Sequence, residues 1–131
     1  MAKATVVLLI VDATGTLVDP LPARAEPESH LAFVLVNQHA TDKFDLRIDF
    51  DDIVLKQDKV TKKNPFKTGG QIHRQLVAGE IDLIKQKMRN VGDFGGAGLP
   101  YTTYKYTVVL KNMTTGVTQP PYDPDIDVPP A

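Results

Sequence analysis

Phe44-Asp45-Leu46-Arg47-Ile48-Asp49-Phe50 alternates apolar and charged residues without a miss. That is the period of a half-buried β-strand. One face carries Phe44, Leu46, Ile48 and Phe50 toward a core, and the other carries Asp45, Arg47 and Asp49 toward water. Slipping the pairing by one residue would bury three charged side chains, so the strand has one acceptable register.

Working outward, Asp51-Asp52 interrupts the alternation and Ile53 to Leu55 resumes it, which predicts a bulge or tight turn. Upstream, Leu31 to Asn37 is a second strand, and Asn37 to Asp42 is a turn that should make it an antiparallel partner of the first. Thr5 to Val11 is apolar on both faces and rich in branched residues, the pattern of a strand buried on two sides. Ala13-Thr14-Gly15-Thr16 supplies a turn, after which Leu17 and Val18 could begin a short return strand. Pro20, Pro22 and Pro27 make the stretch near 19–28 a proline-rich loop with few ladder donors.

Downstream, Asp58 to Gly70 reads as an exposed basic loop anchored by Phe66. Ile72 to Val77 is a strand ending in Ala78-Gly79. Ile81 to Met88 fits two periods, since Ile81 and Leu83 alternate while Ile81, Ile84 and Met88 share a helical face; a strand is the reading adopted. Gly92 to Gly98 is a loop. Tyr104 to Leu110 is a strand with Tyr104, Tyr106 and Val108 on one face. Asn112 to Pro121 is a turn region, and Ile126 to Val128 is a short last strand before a proline-rich C-terminal tail.

Ten prolines, nine glycines and 42% hydrophobic residues in 131 residues suit short elements joined by turns, and the length suits a single domain spanning 1–131. Fifteen basic against sixteen acidic residues leave a net charge of −1, so no global field draws the chain to nucleic acid. The longest apolar run, Val6 to Val11, is too short to cross a bilayer. Lys3, that run and Ala23-Arg24-Ala25 loosely mimic a signal peptide, but Asp12 and Asp19 lie between run and site. An uncleaved N-terminal strand and a cytoplasmic location are expected.

No motif supplies a catalytic constellation. The chain has no cysteine, hence no disulfide, thiolate metal site or thiol nucleophile. Ser29 is its one serine and lies in the proline-rich region without a nucleophile elbow. His30, His39 and His73 lack any local ligand spacing. Gly92, Gly95, Gly96 and Gly98 lack the lysine and hydroxyl of a phosphate loop. Lys56, Lys59, Lys62, Lys63 and Lys67 form a basic stretch that reads as a solvated loop. Asp49, Asp51 and Asp52 are the densest acidic cluster and offer the oxygen ligands that calcium or magnesium would need, without the spacing of an EF-hand.

From about Val77 onward the chain resembles the cupredoxin family of Greek-key β-sandwiches, most closely its bacterial members that lack copper ligands. Val77-Ala78-Gly79-Glu80 is similar to a turn before a core strand in that family. Tyr104-Lys105-Tyr106-Thr107-Val108 resembles the strand that ends in the copper-binding cysteine, and Asp123-Pro124-Asp125-Ile126-Asp127-Val128 resembles the closing strand of the copperless members. The resemblance implies the fold and removes the metal, because Val108 stands at the thiolate position and no histidine follows His73. A blue-copper centre needs a thiolate and two imidazoles.

The expectation is therefore an all-β protein, an antiparallel Greek-key β-sandwich of about eight strands of cupredoxin-like or immunoglobulin-like type. Its expected role is non-catalytic, in structure, assembly or protein-protein interaction, with no cofactor. Because Val6, Val7, Leu8, Leu9, Ile10 and Val11 offer two apolar faces, self-association or a protein partner should cover the second. The alternative is a sandwich that binds a small ligand or divalent cation through Asp49, Asp51 and Asp52.

Overall fold

A computed structural model describes residues 4–18, 23–55, 65–67, 71–89 and 102–128, with the backbone alone at 4, 51–55, 102–103, 125 and 127. No helix occurs among them. The strands are β1 (Ala4–Val11), β2 (Ala23–Arg24), β3 (His30–Asn37), β4 (Phe44–Leu55), β5 (Gln71–Leu76), β6 (Ile81–Lys87), β7 (Thr102–Asn112) and β8 (Asp125–Val128). They form two sheets, one ordered β1-β3-β6 and the other β2-β8-β7-β4-β5. Among the described residues, no helix is long and apolar enough to cross a membrane.

The strand around Ile48 takes the expected register. Phe44, Leu46, Ile48 and Phe50 are buried, and Arg47 points to solvent. β4 pairs with β5 on one side and β7 on the other, both antiparallel. The interruption at Asp51-Asp52 is a bulge, with the β4–β7 register shifting between Asp49 and Ile53. Three residues of β4, Phe50 to Asp52, there oppose one of β7, Tyr106, which bends the longer strand.

The core lies between the two sheets. From the first come Val7, Leu9, Phe33 and Leu35, and from the second Leu46, Ile48, Phe50 and Val108. Aromatic rings fasten the layers. Phe33 of β3 meets Phe50 of β4 and Tyr106 of β7 edge-on, at centroid distances of 6.3 and 6.0 Å, and Phe50 stacks on Tyr106 at 4.9 Å. Such pairs add about 0.5–1.5 kcal/mol each beyond area burial. Phe66 is the anchor its position suggests, buried against Phe50 at 4.7 Å and bridged to Met88.

Two pairings differ from the sequence expectation. β3 does not pair with β4; it runs between β1, to which it is parallel, and β6, to which it is antiparallel. The Asn37–Asp42 segment instead crosses from one sheet to the other. Buried Asn37 holds that crossing, donating from Nδ2 to the carbonyls of Asp42 and Leu76 at 2.9 and 3.1 Å and accepting from the His39 N–H at 3.0 Å. The sheets are also mixed rather than antiparallel throughout, since β1 with β3 and β2 with β8 are parallel. Within the proline-rich stretch, β2 adds a two-residue edge to the larger sheet.

Ile81–Lys87 is a strand. Its core-facing residue is Ile84, continued by Met88, while Ile81 and Leu83 point outward. The shared helical face of Ile81, Ile84 and Met88 is thus split between two sides of a sheet. The expected return strand at Leu17 and Val18 reduces to one bridge, Val11 to Leu17. Its turn is closed by Asp12, whose carboxylate accepts from the Thr14 hydroxyl at 2.6 Å and from the N–H groups of Thr14 and Thr16 at 2.9 and 3.0 Å.

Candidate functional site

Each sheet presents one outer face, and the two differ in chemistry. On the larger sheet the outward positions of β4 are Asp45, Arg47 and Asp49. By register they stand beside Gln75, His73 and Gln71 of β5 and beside Lys111, Val109 and Thr107 of β7. With Met113 and Thr118 beyond the strand ends, these side chains other than Gln71 line an open groove of about 680 Å³.

Within it, the Asp45 carboxylate is buried and in close contact with Nε2 of His73, and the Arg47 Nε lies 3.8 Å from its other oxygen. Asp49 accepts from the Gln71 amide at 3.4 Å. A carboxylate touching an imidazole forms two parts of a general-base arrangement. The serine that would complete one lies elsewhere. Ser29, just before β3 of the other sheet, is buried with Oγ donating to the Glu26 carbonyl at 2.5 Å, a turn contact.

The other residues singled out by sequence fall apart in space. Asp49 faces the groove, whereas the side chains of Asp51 and Asp52 lie outside the described residues, so the three-carboxylate cluster is not described as a unit. Among the described residues no group of three or more His, Asp or Glu side chains could hold a metal ion. His30 opens β3, His73 lies on β5, and His39 sits in the crossing segment, its Nδ1 accepting from the N–H groups of Thr41 and Asp42 at 3.2 and 3.0 Å. Lys67 is exposed; Lys56, Lys59, Lys62 and Lys63 and the Gly92–Gly98 loop are outside the described residues.

The C-terminal motifs are structural. Tyr104, Tyr106 and Val108 point into the core. Val77 to Glu80 is the β5–β6 turn, with Gly79 at φ +78° and the Val77 N–H donating to the Glu80 carboxylate at 2.9 Å. Asp123 accepts from the Thr107 hydroxyl at 3.0 Å, and the Pro124 carbonyl accepts from the Tyr106 N–H at 3.0 Å, docking the approach to β8 onto β7.

The smaller sheet presents an apolar outer face. Val7, Leu9 and Val11 are buried in the chain's own core, which withdraws them from any partner, but Val6 and Leu8 are 59% and 51% exposed. Ile81 and Leu83 on the far strand are 68% and 55% exposed. Between them the outward positions of β3 are Ala32, itself buried beneath its neighbours, and half-buried Val34 and Val36, set side by side with these residues by register. Val6, Leu8 and Ile10 thus join a surface three strands wide. The sequence signal for it was the doubling of apolar faces in β1, which recurs across Val34 and Val36 in β3.

No family model matches the chain, and no curated protein matches it. Among solved structures it is similar to Fet3p, a multicopper oxidase that functions in iron import, with a TM-score of 0.40 and 11% identity. The match covers 97% of this chain and 27% of that one. The likeness is weak, and the chain spans little more than a quarter of the oxidase.

Proposed function

We propose that the chain is a non-catalytic, single-domain Greek-key β-sandwich module that works by protein contact, with the outer face of β1, β3 and β6 as its contact surface. The observation that carries this reading is that apolar face. Val6, Leu8, Ile81 and Leu83 are each more than half exposed, and they flank an apolar strand rather than being scattered singly. A contiguous patch of this kind on a soluble protein marks an interaction site.

The chain path supports the Greek key. β4 and β5 form a hairpin in one sheet, while β3 and β6, the strands before and after it, pair antiparallel in the other. The return of β6 to lie beside β3 is the feature of that motif the chain path carries, with β3 and β4 set in different sheets rather than paired. Val108, buried opposite Ile48, favours a copper-free core, because a hydrocarbon there offers no ligand. Incubation with Cu(II), desalting and an absorption spectrum test that point. Stoichiometric copper with an intense visible band contradicts it.

The contact reading is tested by affinity capture and mass spectrometry, with Leu83→Lys as the comparison. The wild type should retain specific proteins, its own copies included, that the variant loses. Equal capture by both contradicts it.

The groove beside Asp49 favours a second reading, a site for a small polar ligand or divalent cation. Calorimetric titration with calcium tests the cation form, and saturable stoichiometric heat abolished by Asp49→Asn would support it.

A further inference from the structure

We infer that the occupant of the outer face of β1, β3 and β6 is a second copy of this chain, stacked face to face with its strands antiparallel to the first. The inference rests on the contact-surface reading above. It is carried by the way charge is distributed about the apolar patch.

Register sorts the face into rows. The central row is Leu8, Val34 and Leu83; on one side lie Val6, Ala32 and Lys85, and on the other Ile10, Val36 and Ile81. Beyond the first side, His30 and Lys87 are paired at one end of the sheet. Beyond the other, Asp12 follows β1 and exposed Glu80 precedes β6. Lysines thus gather at one end, where exposed Glu28 also lies, and carboxylates at the other, where Asp12 is bonded to Thr14 and Thr16 and Glu80 to the Val77 N–H of their own turns. Among the described residues neither Lys85 nor Lys87 takes part in an ion pair.

Closed dimers form about a two-fold axis, which makes the same patch meet itself. For two stacked sheets the axis can run along the strands or across them. Along the strands, it sets the lysine end of one copy over the lysine end of the other. Across the strands, it sets Lys85 and Lys87 over the end that holds Glu80 and Asp12. Opposite charges attract and like charges repel over the same distance, so the second arrangement is the favoured one. An axis over the central row makes Leu8, Val34 and Leu83 each meet its own counterpart. Val6 then faces Ile10 of the second copy, and the Lys85 stem covers Ile81 while its ammonium reaches toward Glu80.

The size of the face sets the strength. Three strands about 4.8 Å apart and about eight residues long give a flat footprint of roughly 14 by 26 Å. That is about 360 Å² per copy and roughly 730 Å² in all, below the span of stable specific interfaces and in the range of weak, transient ones. The dimer should form and dissociate with concentration rather than be permanent.

The chain lacks cysteine, so Leu83→Cys introduces a single thiol at an exposed position. Sheets packed face to face lie about 10 Å apart, within reach of a short bismaleimide. Leu83→Cys should cross-link to a dimer, and Lys111→Cys, on the opposite sheet, should not. Orientation is read by charge exchange, with sedimentation as the readout: Lys87→Glu and Glu80→Lys should each weaken association several-fold, and the double variant should recover it. Cross-linking of Leu83→Cys no greater than that of Lys111→Cys overturns the inference. A double variant as weak as either single one overturns the antiparallel arrangement. If Leu83→Lys still loses captured proteins while the cross-link fails, the contact surface stands and its occupant is not a second copy.

Discussion

Ile48 on β4 lies directly opposite Val108 on β7, and the two side chains are 1% and 0% exposed. This pair sits at the centre of the larger sheet's inner face, where β4 is held on both edges. A carboxylate placed there has no partner and no water. Ile48→Asp should therefore cost more than about 4 kcal/mol and leave the chain unfolded, whereas Ile48→Val should cost about 1 kcal/mol. Thermal melts followed by circular dichroism decide it, and a melt of Ile48→Asp within a degree or two of wild type would refute the register.

Asn37 is a buried polar side chain with both ends used, and it ties the sheet crossing to Leu76 of β5. Asn37→Leu removes two donated bonds and one accepted bond while leaving the Leu76 carbonyl short of a partner. The expected loss is about 1–3 kcal/mol, measured by urea denaturation. An unchanged midpoint would mean that the crossing is held by other contacts.

Gly15 and Gly79 share a left-handed backbone, at φ +84° and +78°, but differ in their surroundings. A Cβ on Gly15 would lie 3.1 Å from the Phe44 ring, while one on Gly79 would meet nothing within 4 Å. Both alanine variants carry the conformational cost, about 1 kcal/mol, and Gly15→Ala adds a push against a core ring. Gly15→Ala should melt well below Gly79→Ala. Equal melting temperatures would show that Phe44 yields without cost.

The Asp12 and Asp42 carboxyls are held below the ordinary value of 3.8, Asp12 chiefly by the Thr14 hydroxyl and Asp42 chiefly by the Asn112 amide. A carboxyl that titrates lower when folded leaves the unfolded chain binding more protons between the two values, so stability is present above 3.8 and falls as pH falls through the lowered value. Asp42→Asn removes one such group. Its urea midpoint should change less than that of wild type when pH is taken from about 7 to about 3. An equal change would mean that the Asn112 contact does not favour the ionised form.

Much of the strand plan was legible because each strand states its own burial. Phe44 to Phe50 and Tyr104 to Leu110 alternate with period two, and the bulge at Asp51-Asp52 announced itself as a break in that period. Sheet partners were not legible in the same way. The Asn37–Asp42 turn reads locally as a hairpin, yet β3 finds its neighbours in β1 and β6, pairings that depend on distant parts of the chain. The groove pair Asp45 and His73 is separated by 28 residues, so no local spacing could bring it to notice. In β1 two apolar faces were visible, but not which one the chain covers with its own core.

The most direct test is sedimentation equilibrium of the wild type and Leu83→Lys across about a hundredfold range of concentration, a span that covers the dissociation of a weak complex. The wild type should rise from 14.4 kDa toward twice that mass, and Leu83→Lys should remain monomeric throughout. A wild type that stays at 14.4 kDa at the highest concentration contradicts self-association through the outer face of β1, β3 and β6.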